Sequence, residues 1–365
     1  MSDPPANPPD NPPTPRKACC TPSAQAMASM MSIQPAADFT AGAYAQGGAV
    51  TPQSAVSENI THANTGETAN MVLLEGGVFA MGTDVSEAYP EDGEGPVRDV
   101  TVDAFWMDAT CVTNTQFAEF VQATGYKTEA ECFGWSFVFQ GHLPGKYVER
   151  SRSGQVKGGG SPPGVPWWLA VPEANWRRPF GPRSDIGDRM DHPVVQVGWN
   201  DATAYCRWAG KRLPTEAQWE YAARAGKAQT RFPWGEQLEP RNRHRCNVFQ
   251  GRFPDHDTAD DGFAGTCPAN HFQPNAFGLW NMIGNVWEWC ADWFSPNWHV
   301  PESPETRHNP RGPGDDAPNL THKAQKGGSY LCHRSYCNRY RLGARTGNTP
   351  DSATTNAGFR CVRDV

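Results

Sequence analysis

Along most of this chain, apolar residues recur with strand-like or helix-like spacing only over short stretches, separated by polar and glycine-rich segments. Residues 71–82 place two apolar runs around a Gly-Gly pair, which predicts two short strands joined by a turn. Between residues 98 and 107 the apolar positions alternate, which predicts another strand because successive strand side chains point to opposite faces.

Three segments instead show helical spacing, two of them behind a recognisable start signal. A capping box at residues 113–116 opens the first helix, and Gly125 is suited to end it. A second helix is predicted over residues 200–210. Another capping box at residues 215–218 opens a third helix, which runs to about residue 224.

Residues 141–190 are rich in Gly, Pro, Arg and Trp. We predict a long ordered loop there, because disordered segments seldom carry as many tryptophans. No internal repeat is visible. These patterns together predict the α+β fold class, as one loop-rich domain with little regular secondary structure over residues 69–365.

Residues 1–68 differ in composition from the rest of the chain. Seven of the first fifteen residues are proline, and small polar residues fill most of the remaining positions. We predict a disordered tail, because such a segment buries too little apolar surface to offset its ordering entropy. The tail does not resemble a secretory signal, so we expect a cytoplasmic protein. Cys19 and Cys20 are interpreted as solvated thiols.

Composition narrows the classes of function. The chain has 32 Lys and Arg against 39 Asp and Glu, and its net charge of −7 disfavours nucleic-acid binding. No run of about 18 apolar residues is present, so we expect no membrane span. Signatures of serine hydrolases, dinucleotide-binding folds and P-loop proteins are absent, and none of the 11 cysteines form a C-x-x-C pair.

Cys332 and Cys337 form the candidate reactive pair, in a polar and aromatic segment. Positions five apart do not share a face on a straight strand or helix, so their sulfur atoms meet only if the intervening segment bends. Three interpretations stay open: a structural pair, a redox dithiol, and a two-thiolate site for Cu(I), which favours sulfur ligands. Cationic side chains near the pair would lower the thiol pKa values and favour thiolates, unless these cations are solvated or ion-paired. The side chains concerned are His333, Arg334, Arg339 and Arg341.

From about residue 71 onward the sequence resembles the formylglycine-generating enzymes, the sulfatase-modifying factors, of bacterial type. The most specific motif is the segment 327–337, with its continuation over residues 345–351. Further matching motifs are Arg212-Leu-Pro-Thr-Glu-Ala-Gln-Trp-Glu-Tyr221, Phe232-Pro-Trp-Gly235, Gly278-Leu-Trp-Asn-Met-Ile-Gly-Asn-Val-Trp-Glu-Trp289 and Gly358-Phe-Arg-Cys361. The resemblance implies a C-type-lectin-like α+β fold and a monomer.

The resemblance also implies a copper-dependent oxidase. This family converts a cysteine in a sulfatase segment of the form Cys-x-Pro-x-Arg to Cα-formylglycine and consumes O2. Cys332 and Cys337 match the pair that holds Cu(I). The other implied residues line the pocket, flank the copper loop or contact the substrate peptide: Ser329 and Trp287, His333 and Tyr336, and Arg345 and Asn356, respectively.

Two structural Ca²⁺ sites are implied as well, in which oxygen ligands would clamp irregular backbone. The first site matches Asn247, Val248, Asp261 and Phe263, and the second matches Asn281, Gly284, Val286 and Glu288.

The remaining cysteines suggest few bridges. Cys206 and Cys361 match a structural disulfide of the secreted animal enzymes. The partners of a second bridge fall on Ala223 and Leu342, which indicates that this bridge is lost here. Cys246 and Cys267 could form a different bond. We expect Cys111, Cys132 and Cys290 to act as small buried apolar side chains or as surface thiols, rather than as ligands.

Two alternative functions come from other classes that share the fold. A non-heme iron sulfoxide synthase would need an added helical domain with iron-binding histidines, whereas the tail holds only His62. A non-catalytic, lectin-like binding module would have no reason to carry both cysteines of the pair. We therefore expect an extended sulfatase segment and O2 as partners, and no nucleic acid or membrane.

Overall fold

The computed structural model describes Pro22 and residues 68–365, in which short helices and strands are joined by long irregular segments. The α-helices are α1 Asn114–Thr124, α2 Glu129–Phe133, α3 Gly145–Arg152, α4 Trp199–Trp208, α5 Glu216–Arg224 and α6 Pro304–Arg307. The strands are β1 Met71–Leu74, β2 Gly77–Met81, β3 Arg98–Val102, β4 Phe105–Asp108, β5 Trp135–Phe139, β6 Trp168–Pro172, β7 Gly251–Arg252, β8 His256–Asp257, β9 Trp287–Trp293, β10 Lys323–Lys326, β11 Arg345–Asn348, β12 Ala357–Gly358 and β13 Val362–Asp364. This mixture confirms the α+β, loop-rich fold class.

The sheets join distant parts of the chain. A four-stranded sheet has the order β11-β10-β9-β12, and a three-stranded sheet has the order β1-β4-β13. In the larger sheet, β10 runs antiparallel to β9 and β11, whereas β12 runs parallel to β9. The last strand of the chain therefore pairs near the first, and the larger sheet gathers the segments that carry the candidate site.

The predicted helices are confirmed, together with their start signals. Thr113 accepts from the amide of Gln116 in a capping box, and α1 ends at Gly125 in the left-handed conformation. Thr215 forms the matching box at the start of α5. The helix predicted over residues 200–210 is α4, which begins at Trp199.

Two predictions need correction. The strand expected over residues 98–107 is two strands, because β3 pairs with β2 whereas β4 pairs with β1 and β13. The segment 141–190 is ordered, as its buried Trp168 and Trp176 show, but it contains α3 and β6 rather than loop alone. Its Gly and Pro residues concealed a strand that pairs with β5.

The predicted disordered tail over residues 1–68, including Cys19 and Cys20, lies outside the described residues except for its positions 22 and 68. The boundary at residue 69 stays a prediction. In residue 22 and residues 68–365, no helix is long and apolar enough to cross a membrane.

Candidate active site

The segment that carries the two candidate cysteines begins directly after β10, at a turn that requires glycine. Gly327 and Gly328 have φ angles of 93° and 70°, which side chains with a Cβ rarely adopt. A Cβ on Gly328 would also lie 3.0 Å from a carbonyl oxygen of the returning chain. Further along, the amide of Cys337 donates to the carbonyl of His333 at 2.9 Å, which closes a helical turn between them.

This turn brings the sulfur atoms of Cys332 and Cys337 to 2.6 Å from each other. The prediction that the intervening segment must bend is therefore confirmed. Both cysteines are buried, although the residues between them reach the surface. The site thus combines two adjacent sulfur atoms, an apolar surrounding and a short path to solvent.

Ser329 and Asn356 lie beside the dithiol, as the resemblance implied. The backbone amide of Ser329 donates to the sulfur of Cys332 at 3.4 Å. The side-chain amide of Asn356 donates to the hydroxyl oxygen of Ser329 at 2.9 Å, and its carbonyl oxygen accepts from Thr354 at 2.8 Å. Since all of these groups are buried, the hydrogen bonds fix Ser329 against the sulfur.

Trp287 begins β9 and packs in the same apolar cluster as the two cysteines. Its backbone amide donates to the carbonyl of Asn356 at 2.8 Å, which ties β9 to the segment that holds Ser329. Its indole N–H is buried and has no hydrogen-bond partner among the described residues. This unused donor in an apolar pocket is available to a bound group.

Tyr336 and His333 flank the cysteines on the exposed side. The ring of Tyr336 stacks on Phe253 with centroids 4.3 Å apart, and Trp167 meets Tyr336 edge-on at 4.7 Å. Burial, with Arg334 adding to it, lowers the pKa of His333, so its ring is neutral near pH 7. Three aromatic rings therefore form a wall over the dithiol segment.

Sequence reasoning missed part of this surrounding. Phe253 was not singled out, nor was His142, whose ring nitrogen lies 2.8 Å from the hydroxyl of Tyr330. Burial lowers the pKa of His142 to about 4, which keeps it neutral. No spacing signal could have found these residues, because each comes from a loop far away in sequence.

Two of the three arginines near the cysteines, Arg339 and Arg341, are ion-paired, which was one of the two open interpretations, whereas Arg334 is exposed. Arg339 donates to Asp92 at 2.5 Å, and Arg341 forms two bonds with Glu94 at 2.6 and 2.8 Å. All four side chains are buried, so these pairs lie inside the protein rather than at its surface. Their positive charges are balanced locally and are not directed at the thiols.

Arg345 has internal partners. Its guanidinium forms a bidentate pair with Glu216, with one nitrogen–oxygen distance of 2.8 Å. Its remaining nitrogen donates to the carbonyls of Asp92 and Ser295, at 3.2 and 2.9 Å. Arg345 therefore binds groups inside the protein, and its contact with a substrate peptide stays a prediction.

The residues of the first implied calcium site lie together. The carboxylate of Asp261 accepts from the amides of Val248 and Phe263, at 3.2 and 3.0 Å. The side-chain oxygen of Asn247 is buried and has no hydrogen-bond partner among the described residues. A buried, unsatisfied oxygen beside a carboxylate fits a hard cation such as Ca²⁺.

The second implied site fits less completely. The side-chain oxygen of Asn281 is likewise buried and unsatisfied within the described part of the chain. The carboxylate of Glu288, however, forms a bidentate pair with Arg360 at 2.7 and 2.8 Å and also accepts from Trp219. Residues 68–365 and Pro22 contain no group of three or more His, Cys, Asp or Glu side chains placed for a metal ion.

The other cysteines of residues 68–365 form no disulfide. The sulfur atoms of Cys206 and Cys361 lie 3.5 Å apart, so the two residues implied to pair are neighbours, but as thiols. The expected buried or surface thiols are confirmed: Cys111 and Cys290 are buried and Cys132 is exposed, and Cys246 and Cys267 are both free as well. Ala223 and Leu342 are packed in one apolar cluster, where the second bridge would lie.

Comparison with known proteins gives concordant results. The family profile described as "Sulfatase-modifying factor enzyme 1-like domain" matches residues 56–365. The formylglycine-generating enzyme of Thermomonospora curvata is 57% identical over 295 residues, which cover 80% of this chain and 93% of that protein. A Bos taurus protein named "Inactive C-alpha-formylglycine-generating enzyme 2" is 44% identical over 304 residues, covering 81% of this chain and 89% of its own length.

A solved structure supports the same fold. PvdO from Pseudomonas aeruginosa matches with a TM-score of 0.55 and 25% identity, and the match covers 81% of this chain and 94% of that one. The profile match spans most of the chain, and the dithiol segment lies within it. The chain therefore belongs to the formylglycine-generating enzyme family of sulfatase-modifying factors.

Proposed function

We propose that this protein converts a cysteine in a sulfatase segment of the form Cys-x-Pro-x-Arg to Cα-formylglycine, with Cu(I) as cofactor and O2 as electron acceptor. The name shared by its similar relatives supports the product. Because a similar relative is named inactive, membership of the family does not by itself supply the activity. The observation that carries the proposal is the buried contact between Cys332 and Cys337.

The donors at this site fit Cu(I) by their chemistry. Cys332 and Cys337 offer two soft sulfur ligands inside an apolar cluster, and this ion prefers such ligands to oxygen. When bound, the ion would supply the exchange of electrons with O2 that a thiol lacks. To hold the ion, the two sulfur atoms would have to lie farther apart than 2.6 Å. The segment between the cysteines is at the surface, so its movement can provide this separation.

The protein's own groups then position the reaction. The amide of Ser329 directs its N–H at the sulfur of Cys332, which helps to fix the position of that sulfur. Asn356 holds Ser329 in that place. The rings of Trp167 and Tyr336 cover the segment from outside and restrict access of water.

The conversion is balanced in atoms and electrons. Oxidation of the substrate CH2–SH group to a thioaldehyde removes two electrons and two protons, and O2 accepts them. Hydrolysis then adds water to the carbon–sulfur double bond, releases hydrogen sulfide and leaves the aldehyde. No group of the protein is consumed, so the dithiol is available for the next cycle.

Mass spectrometry of a peptide substrate tests the proposal. The full chain is loaded with Cu(I) and mixed in air with a peptide that contains a Cys-x-Pro-x-Arg core. We expect the peptide to lose the mass that separates CH2SH from CHO, and only when copper is present. Conversion at the same rate after copper removal would contradict the copper assignment, and no conversion with copper bound would contradict the activity.

Matched serine variants identify the residues. Cys332→Ser and Cys337→Ser should abolish conversion while circular dichroism and melting temperature stay close to wild type, because serine is slightly smaller than cysteine. Cys206→Ser is the control, since it changes a buried cysteine in a different apolar cluster. Substantial conversion by either variant of the pair would exclude the dithiol as the copper ligand.

A further inference from the structure

Pro22 is buried against the folded domain although it lies far away in sequence. Its carbonyl oxygen accepts a hydrogen bond from the hydroxyl of Ser352 at 2.6 Å and another from the side-chain amide of Asn348 at 3.2 Å. The donors follow Pro22 by 330 and 326 positions. Two side chains of the domain thus converge on one carbonyl of the N-terminal segment.

The two donors are held in place by their own backbone. Asn348 ends β11, and its side-chain oxygen accepts from the amide of Thr349 at 2.9 Å. The amide of Ser352 donates to the carbonyl of Thr349 at 3.0 Å. Asn348 and Ser352 are 1% and 0% exposed, so their donors are preorganised for a main-chain carbonyl in a nearly dry site.

This carbonyl site lies on the same segment as the candidate active site. Asn356, which holds Ser329 beside the sulfur of Cys332, follows Ser352 by four residues. Four residues span at most about 14 Å. Ser352 therefore lies within about 14 Å of Asn356, so a peptide bound at Asn348 and Ser352 is near the dithiol.

The sequence around Pro22 has the form of the proposed substrate. Residues 20–24 read Cys-Thr-Pro-Ser-Ala, which matches Cys-x-Pro-x-Arg at the cysteine and the proline and has alanine in place of arginine. The cysteine precedes Pro22 by two residues, a distance of at most about 7 Å in an extended chain.

We propose that Asn348 and Ser352 form a subsite that binds the main-chain carbonyl of the motif proline, and that Pro22 of this chain occupies it as the proline of a pseudosubstrate. The proposal rests on the proposed function and adds a substrate subsite to it. Proline suits a site that contains donors, because it has no amide N–H to satisfy and its φ is already restricted. Ala24 lacks the guanidinium that the motif arginine of a substrate carries. The segment therefore competes with a substrate for the subsite but does not supply that guanidinium.

Binding of an unreactive peptide tests this directly. A fluorescein-labelled peptide with the core Ser-Thr-Pro-Ser-Arg carries serine in place of the reactive cysteine, so fluorescence anisotropy reports affinity without turnover. The test variant is the full chain with residues 19–24 replaced by glycine and serine. The control replaces residues 35–40 in the same way. If the segment fills the subsite in about 90% of molecules, its removal should tighten binding about tenfold, whereas the control should not.

A second variant tests the two donors. In the chain with residues 19–24 replaced, Ser352→Ala should weaken peptide binding about three- to tenfold, the worth of one hydrogen bond. Ser161→Ala, which removes a hydroxyl from an exposed hydrogen bond, is the control. Equal affinities in all variants would overturn the subsite and leave the proposed function intact. No peptide binding by any variant would overturn the substrate class itself, and with it the subsite.

Discussion

Replacing Glu288 with glutamine should strongly destabilise the protein, because this carboxylate neutralises a buried arginine. Glu288 is 1% exposed and Arg360 is 0% exposed, and two nitrogen–oxygen contacts of 2.7 and 2.8 Å join them. The glutamine would keep the shape but leave the guanidinium without a counter-charge. Breaking a buried pair in this way costs about 3–5 kcal/mol.

Urea unfolding measures this cost. The free energies of unfolding of the wild type, of Glu288→Gln and of the double variant with Arg360→Met are compared. The comparison requires that the slope of the free energy of unfolding against urea concentration be the same in each. If the cost comes from the orphaned guanidinium, the double variant should recover part of the loss, so the two substitutions should be far from additive. A destabilisation below about 1 kcal/mol would refute the reasoning.

The same experiment separates two roles for Glu288. The resemblance implied that it binds Ca²⁺, whereas the structure pairs it with Arg360. An ion-pair role predicts the same loss of stability with added Ca²⁺ and with a chelator. A loss that appears only with Ca²⁺ would instead identify the carboxylate as a calcium ligand.

Three further outcomes are expected. Arg345→Lys loses the bidentate pair with Glu216, so it should lower the melting temperature. Weaker peptide binding by anisotropy at an unchanged melting temperature would contradict this and would identify Arg345 as a substrate contact. Burial lowers the pKa of His142 from 6.5 to about 4, so the unfolded chain takes up this proton first and stability should fall by up to about 3 kcal/mol as pH drops through that window. In urea unfolding at several pH values, His142→Gln should flatten this decline, and an unchanged slope would rule the histidine out. Asn247→Ala should reduce the rise in melting temperature that added Ca²⁺ produces, whereas the exposed Asn297→Ala should not; an equal rise in both would exclude Asn247 as a ligand.

The sequence by itself determined the local features. The capping boxes at Thr113 and Thr215 use side chains and amides only three residues apart, so the local sequence was enough to predict the starts of α1 and α5. The spacing of Cys332 and Cys337 was likewise enough to identify a candidate pair and to show that its segment must bend. The division between β3 and β4 was not visible, because each strand is defined by a different distant partner.

Only the tertiary structure decided which charges and hydrogen bonds surround that pair. Arg339 could have favoured thiolates, but it is neutralised by Asp92, which lies 247 positions earlier. The contact of Asn356 with Ser329 and the seat of Pro22 on Ser352 also join residues that no local pattern relates. Such contacts depend on how the sheet brings distant segments together, because hydrogen bonds and ion pairs act over a few ångströms in space, whatever the separation along the chain.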